Sequence, residues 1–201
     1  MMSKISFIIF LEILCATTSL KDKRDCDGVE IVWREDWKAR PIVHNKTLVL
    51  PINKVIIAHT VTTFCRTKPQ CVRNVQMIQD FCMDYNGMFD ISYNFLIGGD
   101  GRVYEGGGWR QVGSHTIKYN YISIGIGFIG NYNIEKPTQK VINAALSLIN
   151  CGVKQGFLTP TREIHGHRDV ICTESPGNNL YSVIRYWKNY KGGRISNYSC
   201  L

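Results

Sequence analysis

Apolar and polar positions follow two different periods along this chain, and each period predicts its own kind of element. Residues 54–60 (KVIIAHT) form a short β-branched run that is typical of a buried strand. Residues 122–130 (ISIGIGFIG) predict a central strand whose glycines allow a close backbone approach. Residues 92–109 (SYNFLIGGDGRVYEGGGW) predict a hairpin around a Gly-Gly-Asp-Gly turn. A further short strand is predicted at residues 163–167 (EIHGH).

Three other segments carry apolar residues at helical spacing. They cover residues 72–87, where Gly87 would cap the helix, residues 138–156 and residues 175–190. The chain shows no internal repeat and no linker. Strands mixed with three helices therefore predict a single α/β domain, with a central mixed sheet flanked by about three helices.

The N-terminus has the layout of a secretory signal peptide, with a short basic start, an apolar run (ISFIIFLEILCA) and small residues. The run is too short for a transmembrane helix, and no second hydrophobic span follows. We therefore expect a secreted, extracellular protein that spans no membrane. The expected organisation is a signal peptide at 1–19, an N-terminal tail at 20–30, the domain at 31–190 and a C-terminal tail at 191–201.

The charge balance changes this picture little. The chain has 24 Lys and Arg against 16 Asp and Glu, a formal net charge of +8. Such a balance suits an anionic partner, but the charges are scattered, and residues 21–24 (KDKR) form the one dense run. The chain lacks the basic and aromatic periodicity of a nucleic-acid binder. We expect a solvated basic surface and no nucleic-acid partner.

Eight cysteines are present, one of them in the predicted signal peptide. In a secreted chain the other seven should mostly pair, and their odd number implies at least one free or intermolecular thiol. The pairing of Cys82, Cys172 and Cys200 stays open. No C-x-x-C spacing indicates a zinc cluster of cysteines. Asn45 and Asn197 begin two sequons for glycosylation.

Seven stretches occur here in the order in which a known family has them. They are IVWREDWKARP, VIIAHTVTTFC, DISYNFLIGGDGRVYEGGGW, GSHTIKYN, SIGIGFIGNY, LINCGVKQGFL and GHRDVICTESPGNNLY. They run from about Ile31 to Trp187 and resemble the peptidoglycan recognition proteins of the short secreted insect type, relatives of the zinc-dependent type 2 N-acetylmuramoyl-L-alanine amidases. The resemblance implies the amidase-like fold, a groove for the glycan-peptide, and two disulfides, Cys65–Cys71 and Cys26–Cys151.

The stretch HGHRDVICTESPG, residues 165–177, bears on catalysis. By the resemblance, amidase members hold zinc with the first histidine of an HHT motif, the histidine of GHR and the cysteine of T-x-CPG. Those positions are Ala58, His167 and Ser175 in this chain. A methyl group cannot bind zinc and a neutral hydroxyl is a poor ligand. Tyr93 matches the tyrosine that assists amidase chemistry, but without a zinc ion it would have no metal-bound water to act on. We therefore expect no metal, no cofactor and no catalytic residue.

Two enzymatic alternatives stay open. Other histidines and cysteines could rebuild a zinc site, but neighbours in a strand point to opposite faces, so His59 should face away from Ala58. A weak peptidase could use Ser175 with His167 as base on the stem peptide, although the sequence offers no third group to orient the base. The favoured interpretation is that Ser175 caps a helix beginning at Pro176.

A groove without catalytic chemistry would make this protein a receptor. Hydroxyl, amide and imidazole groups suit the amides and hydroxyls of a muramyl peptide. Cys82 stands where many family members have a groove histidine. The peptidoglycan-binding positions that the resemblance implies are Thr60, Gly87, Met88, Tyr93, Gly107, Trp109, Arg110, His115, Asn120 and His167.

The type of stem peptide is predicted from the residues near Trp109. By the resemblance, members that bind diaminopimelate-type peptidoglycan carry an arginine in G-R-G-W, and its guanidinium pairs with the additional carboxylate. Gly107 offers no charge there, which predicts the lysine-type stem, although the adjacent Arg110 could restore carboxylate binding. A second discriminating pair falls on Gly87-Met88: by the resemblance, glycine there is similar to the diaminopimelate-binding members, whereas methionine matches neither class.

The sequence therefore predicts a secreted, non-catalytic pattern-recognition receptor of innate immunity that binds bacterial peptidoglycan. The predicted ligand is peptidoglycan with a lysine-type stem. By the resemblance, its signal would pass to a serine-protease cascade such as Toll or prophenoloxidase. Clustering of the receptor on its ligand is compatible with this role.

Overall fold

The architecture is a six-stranded mixed sheet with helices on both faces. A computed structural model describes residue 26 and residues 28–44, 46–195 and 198. The predicted signal peptide, Asn45, Asn197 and Cys200 lie outside these residues. The strands are β1 (Ile31–Val32), β2 (Ile52–His59), β3 (Phe95–Ile97), β4 (Val103–Glu105), β5 (Ile124–Phe128) and β6 (Leu158–Gly166).

The sheet has the strand order β1-β4-β3-β5-β2-β6. The hairpin of β3 and β4 is antiparallel, while the other neighbouring pairs are parallel. This confirms the predicted hairpin and the central position of β5. The mixed sheet expected from the sequence is confirmed as well.

The helices are α1 (Lys68–Asp80), continued by a π-helical turn (Phe81–Tyr85), α2 (Gln139–Lys154), α3 (His167–Val170) and α4 (Asn178–Ile184). The first two match the predicted segments. None of the helices in the described residues is long and apolar enough to cross a membrane.

The predicted start of the last helix is wrong. Helix α4 begins at Asn178, so Pro176 is not in its first turn and Ser175 is not its cap. Gly177 has a φ of +87°, which is not helical, and a Cβ on it would lie 2.4 Å from the carbonyl carbon of Tyr132. The chain therefore passes close to Tyr132 here and can turn into a helix only afterwards.

The alternation of side chains along β5 separates two layers. Ile124, Ile126 and Phe128 pack with α2 in the larger apolar core. The intervening Gly125 and Gly127 point to the other face, on the side where α1 packs. Because two glycines leave the middle of that face without side chains, the sheet has room there for a groove.

Two disulfides hold segments that the sheet does not. Cys26–Cys151 ties the N-terminal segment to α2, and Cys65–Cys71 closes the loop that enters α1. Both are the pairs that the family resemblance implies. Cys172 is disulfide-bonded as well.

Candidate functional site

The floor of the groove is formed by two rings that lie against the glycines of β5. A Cβ on Gly125 would lie 2.3 Å from Cδ2 of His115, and a Cβ on Gly127 would lie 3.0 Å from the ring of Tyr93. Both distances are too short for an unstrained contact. The glycines therefore allow His115 and Tyr93 to lie directly on the strand.

His115 and His167 lie on this face, as does His165, which the register pairs with Ile56. The register pairs Ile57 with Gly166, so His167, the next residue, stands beside Ala58 on the groove side. Nδ1 of His115 lies 2.9 Å from Oγ1 of Thr116, while its Nε2 has no hydrogen-bond partner among the described residues. Burial lowers the pKa of His115 to about 3 and that of His167 to about 4. Both rings are therefore neutral at physiological pH.

Ser175 has a structural partner at the end of β2. Its Oγ accepts a hydrogen bond from the backbone N–H of His59 at 3.1 Å, and its carbonyl accepts from the N–H of Arg168 at 2.8 Å. No hydrogen bond joins Ser175 to His167 in the described part of the chain. The hydroxyl thus joins two segments of the chain rather than a catalytic base.

The residues present do not fit a zinc ion. Ala58 offers a methyl group, Ser175 has its oxygen engaged by a backbone N–H, and His167 is the one remaining ligand of the three. His59 points away from Ala58, as alternation along a strand predicts, because its Nδ1 accepts the N–H of Tyr132 at 3.1 Å on the α2 side. Within residues 26, 28–44, 46–195 and 198, no three His, Cys, Asp or Glu side chains are placed to share a metal.

A cavity of about 430 Å³ lies between α1 and the groove floor. Thr60 and Tyr93 contribute hydroxyls to its lining, and Cys82 contributes a buried free thiol. The thiol lies 3.0 Å from the hydroxyl of Ser92, which donates to the sulfur of Met88 at 3.2 Å. Burial raises the pKa of Tyr93 to about 12, so its phenol stays neutral. Apolar walls with a few hydroxyls are typical of a small-molecule site.

A smaller cavity of about 210 Å³ lies on the other side of the segment that carries Ser92 and Tyr93. Gly107 and Asn120 line it, as do Lys46 and Tyr121. Nζ of Lys46 lies 5.9 Å from the centre of the Tyr121 ring. Lys46 is therefore a cation of this cavity that the sequence did not indicate.

Two predicted groove residues lie elsewhere, and for them the prediction is wrong. Trp109 is buried in the α2 core, with its ring 5.3 Å from that of Phe157 and 4.5 Å from that of Phe95. The guanidinium of Arg110 lies over Phe157 at 5.5 Å. Gly108 has a φ of +67° and turns the chain at this point. Gly107 before it lines the smaller cavity, whereas Trp109 and Arg110 after it pack at Phe157.

The remaining predicted pair lies at the end of the π-helical turn. Gly87 is exposed, has a φ of +64°, and would meet nothing within 4 Å if it carried a Cβ. Met88 packs against the α1 core. Gly87 therefore provides the positive φ that the turn requires. Met88 is joined to the lining of the larger cavity by the hydrogen bond from Ser92.

This chain is similar to known proteins over most of its length. The family profile described as N-acetylmuramoyl-L-alanine amidase matches residues 48–178. A peptidoglycan recognition protein of Trichoplusia ni is 48% identical over 160 residues, covering 80% of this chain and 88% of that protein. Peptidoglycan recognition protein 1 of Rattus norvegicus is 44% identical over 162 residues, covering 80% and 88%.

Solved structures show the same fold. Bumblebee PGRP-SA superimposes with a TM-score of 0.80 at 42% identity, covering 82% of this chain and 99% of that chain. Peptidoglycan recognition protein LE, solved in complex with tracheal cytotoxin, superimposes with a TM-score of 0.79 at 39% identity, covering 81% and 96%.

Proposed function

Because this chain belongs to the peptidoglycan recognition protein family, we propose that it is a secreted, non-catalytic receptor that binds bacterial peptidoglycan in innate immunity. The groove supports the binding part of this proposal. Its floor of neutral imidazole and phenol, with hydroxyls and an amide along its walls, matches the uncharged amides and hydroxyls of a muramyl peptide.

The hydrogen bond that Ser175 accepts is the observation that supports the absence of catalysis. Its oxygen accepts the backbone N–H of His59, and the neighbouring ligand position is the methyl group of Ala58. A zinc hydrolase needs about three protein ligands and an open position for water. His167 alone would hold zinc too weakly to activate water.

We further propose a preference for the lysine-type stem. Gly107 brings no charge to the smaller cavity, and Arg110 lies over Phe157 instead of facing it. Lys46 lines the same cavity and acts in the opposite direction, because its ammonium would attract an additional carboxylate. The preference should therefore be modest.

The downstream part of the proposal is activation of a serine-protease cascade such as Toll or prophenoloxidase, with clustering on the ligand. The family membership supports this step. Its test is a reconstituted cascade in which the receptor, with polymeric peptidoglycan, must accelerate protease activation, whereas monomeric muropeptide must not.

Calorimetric titration tests the binding proposal. The protein, both zinc-free and with added zinc, is titrated with lysine-type and diaminopimelate-type muropeptides, and the ligand is then analysed by mass spectrometry. We expect zinc-independent binding of intact ligand. The Ser175→Ala variant is the matched control and should also leave the ligand intact.

Cleaved ligand would contradict the proposal in two distinguishable ways. Loss of alanine from the muramyl group would point to a metal-dependent amidase. A cut within the stem that disappears in Ser175→Ala would point to a peptidase using Ser175.

A further inference from the structure

The C-terminal segment of this protein carries cationic side chains and no acidic ones. The last 27 residues contain four Lys and Arg and no Asp or Glu, so they carry half of the net charge of +8. Arg185, Lys188, Lys191 and Arg194 are all exposed. Together with Arg168 they form what we call the basic face.

The fold brings the three arginines of this set together. The guanidinium groups of Arg168 and Arg185 both lie over the ring of Tyr181, at 4.7 and 6.0 Å from its centre. After α4 the chain runs along the free edge of β6, where Tyr190 bridges to Ile164. Further on, Arg194 and Arg168 line one open cavity of about 440 Å³. The three arginines, which are scattered in the sequence, therefore lie around one ring and one cavity. Lys188 and Lys191 are on the chain segment between Arg185 and Arg194.

The basic face is not neutralised by the protein itself. None of its five cations forms an ion pair with any described residue, whereas six cations elsewhere do, namely Arg34, Arg40, Lys54, Arg66, Lys68 and Arg102. Two carboxylates, Asp169 and Glu174, line the same cavity. Even with both counted, the face keeps a net charge of +3.

Both carboxylates are already engaged. Buried Asp169 accepts hydrogen bonds from the N–H of Gly166 and from the hydroxyls of Tyr181 and Tyr190. Glu174 accepts from the side-chain amide of Asn133. The guanidinium of Arg168, in contrast, donates to a neutral amide oxygen and a carbonyl, and its Nε has no partner among the described residues.

We propose that the basic face binds a flexible polymer of repeating phosphodiesters. Arg194 presents a forked guanidinium at the cavity that matches phosphate oxygens. Arg168 already donates to Asn178 and to the carbonyl of Glu174, and it adds its charge and the remaining N–H groups. Thr173 and Asn178 line the cavity too and can add neutral donors. The lysines and Arg185 beyond it can follow an extended polyanion from one phosphate to the next.

Two other anionic partners fit the face less well. Single-stranded nucleic acid binds by stacking successive bases on several aromatic rings. Here the guanidiniums of Arg168 and Arg194 cover Tyr181 and Tyr198, which leaves Tyr186 as the exposed ring of this segment. An anionic bilayer is bound firmly when apolar side chains enter it as well, and Tyr186 is the one large exposed apolar side chain of α4 and the described residues after it.

The face also begins at one end of the groove, because Arg168 follows His167 directly. A phosphate polymer attached to a cell-wall glycan could therefore cross the face while the glycan occupies the groove. The proposal does not depend on the groove, since the polymer alone is the ligand to be tested.

The test measures binding to immobilised poly(glycerol phosphate) between 50 and 200 mM salt. If each contact contributes roughly 0.7 to the slope of log affinity against log salt, as for single strands, five contacts give a slope of about −3.5. The wild type should then lose about 130-fold in affinity over this range. The variant Lys188→Gln, Lys191→Gln, Arg194→Gln should show a slope of about −1.4 and a loss of about sevenfold.

A matched variant controls for net charge. Arg73→Gln, Lys136→Gln, Lys140→Gln removes the same three charges from exposed positions elsewhere and should keep the wild-type slope. If both triple variants weaken equally, the proposal is wrong, because net charge and not the basic face would bind. Tighter binding to heparin, to single-stranded DNA or to phosphatidylglycerol vesicles than to poly(glycerol phosphate) would also overturn it.

Muropeptide titration separates this proposal from the receptor function. The triple variant of the basic face should bind muropeptide as the wild type does. If the wild type binds the polymer and no muropeptide, the receptor proposal fails and this one stands.

Discussion

Replacing Trp109 by alanine should destabilise the fold and leave ligand binding intact. The ring is 8% exposed and packs between Phe95 and Phe157 in the α2 core. A Cβ on Gly152 would lie 2.5 Å from the Trp109 ring, so the indole also rests directly on α2. Removing it would leave a cavity between Phe95, Phe157 and Gly152.

The expected cost is large. Truncating a buried tryptophan to alanine costs about 3–5 kcal/mol. For a domain of this size each kcal/mol lowers Tm by roughly 2–4 °C, which gives a shift of roughly 6–20 °C. Trp109→Phe keeps an aromatic ring between Phe95 and Phe157 and should cost less than half as much.

Urea unfolding with the disulfides intact measures the stability, and calorimetry with muropeptide measures the affinity. Trp109→Ala should lower the urea midpoint while changing Kd by less than about twofold, or roughly 0.4 kcal/mol. Tyr93→Phe is the matched control, because it removes a hydroxyl that lines the groove and little core packing. A Trp109→Ala protein with the wild-type midpoint and a tenfold weaker Kd would refute the placement of Trp109 in the core.

Three further predictions concern the groove. Gly125→Ala should weaken muropeptide binding at least tenfold, because a methyl group 2.3 Å from the His115 ring must displace it; an unchanged Kd would contradict this. Lys46→Gln should increase the preference for lysine-type over diaminopimelate-type muropeptide, measured as the ratio of the two Kd values, since it removes the cation that lines the cavity with Gly107; an unchanged ratio would exclude Lys46 from stem recognition. The free energy of unfolding should fall as the pH is lowered from about 6.5 towards about 4. The folded-state pKa values of His115 and His167 are about 3 and about 4, so the unfolded chain binds more protons in that window, and equal urea midpoints at pH 7 and pH 4.5 would contradict it.

The elements of this fold could be predicted where local periodicity determines them. Strand β5 alternates glycine with large apolar residues because one face packs on α2 and the other forms a groove floor. The start of α4 could not be predicted in this way. It depends on Gly177 passing the backbone of Tyr132, a contact between residues 45 positions apart.

In the candidate site, too, features set by local periodicity could be predicted and features set by long-range contacts could not. Strand alternation correctly placed His59 away from Ala58. The assignment of Trp109 failed because one residue, Gly108 at φ +67°, reverses the side to which the next side chain points. Lys46 could not be found from the sequence, since it reaches the cavity through long-range pairing: its carbonyl accepts the N–H of Val112.

The basic face is a further case in which local reading of the chain was insufficient. Arg168 and Arg194 are 26 positions apart, and neither lies in a dense basic run. They meet because two tyrosines, Tyr181 and Tyr190, donate to the buried carboxylate of Asp169 and so fix the C-terminal segment against β6. A charge pattern that looks scattered along the chain is therefore organised by a buried hydrogen-bond network.

Ser175 shows how the groove can keep its shape without a metal. The N–H of His59 at the end of β2 is buried, and a buried donor needs an acceptor; the serine hydroxyl supplies it. The carbonyl of Ser175 holds the N–H of Arg168, the residue after His167. One residue thus fixes both the strand that carries Ala58 and the start of the helix that carries His167. A metal ion would crosslink these two segments through its ligands, and here the hydrogen bonds of Ser175 join the same two segments.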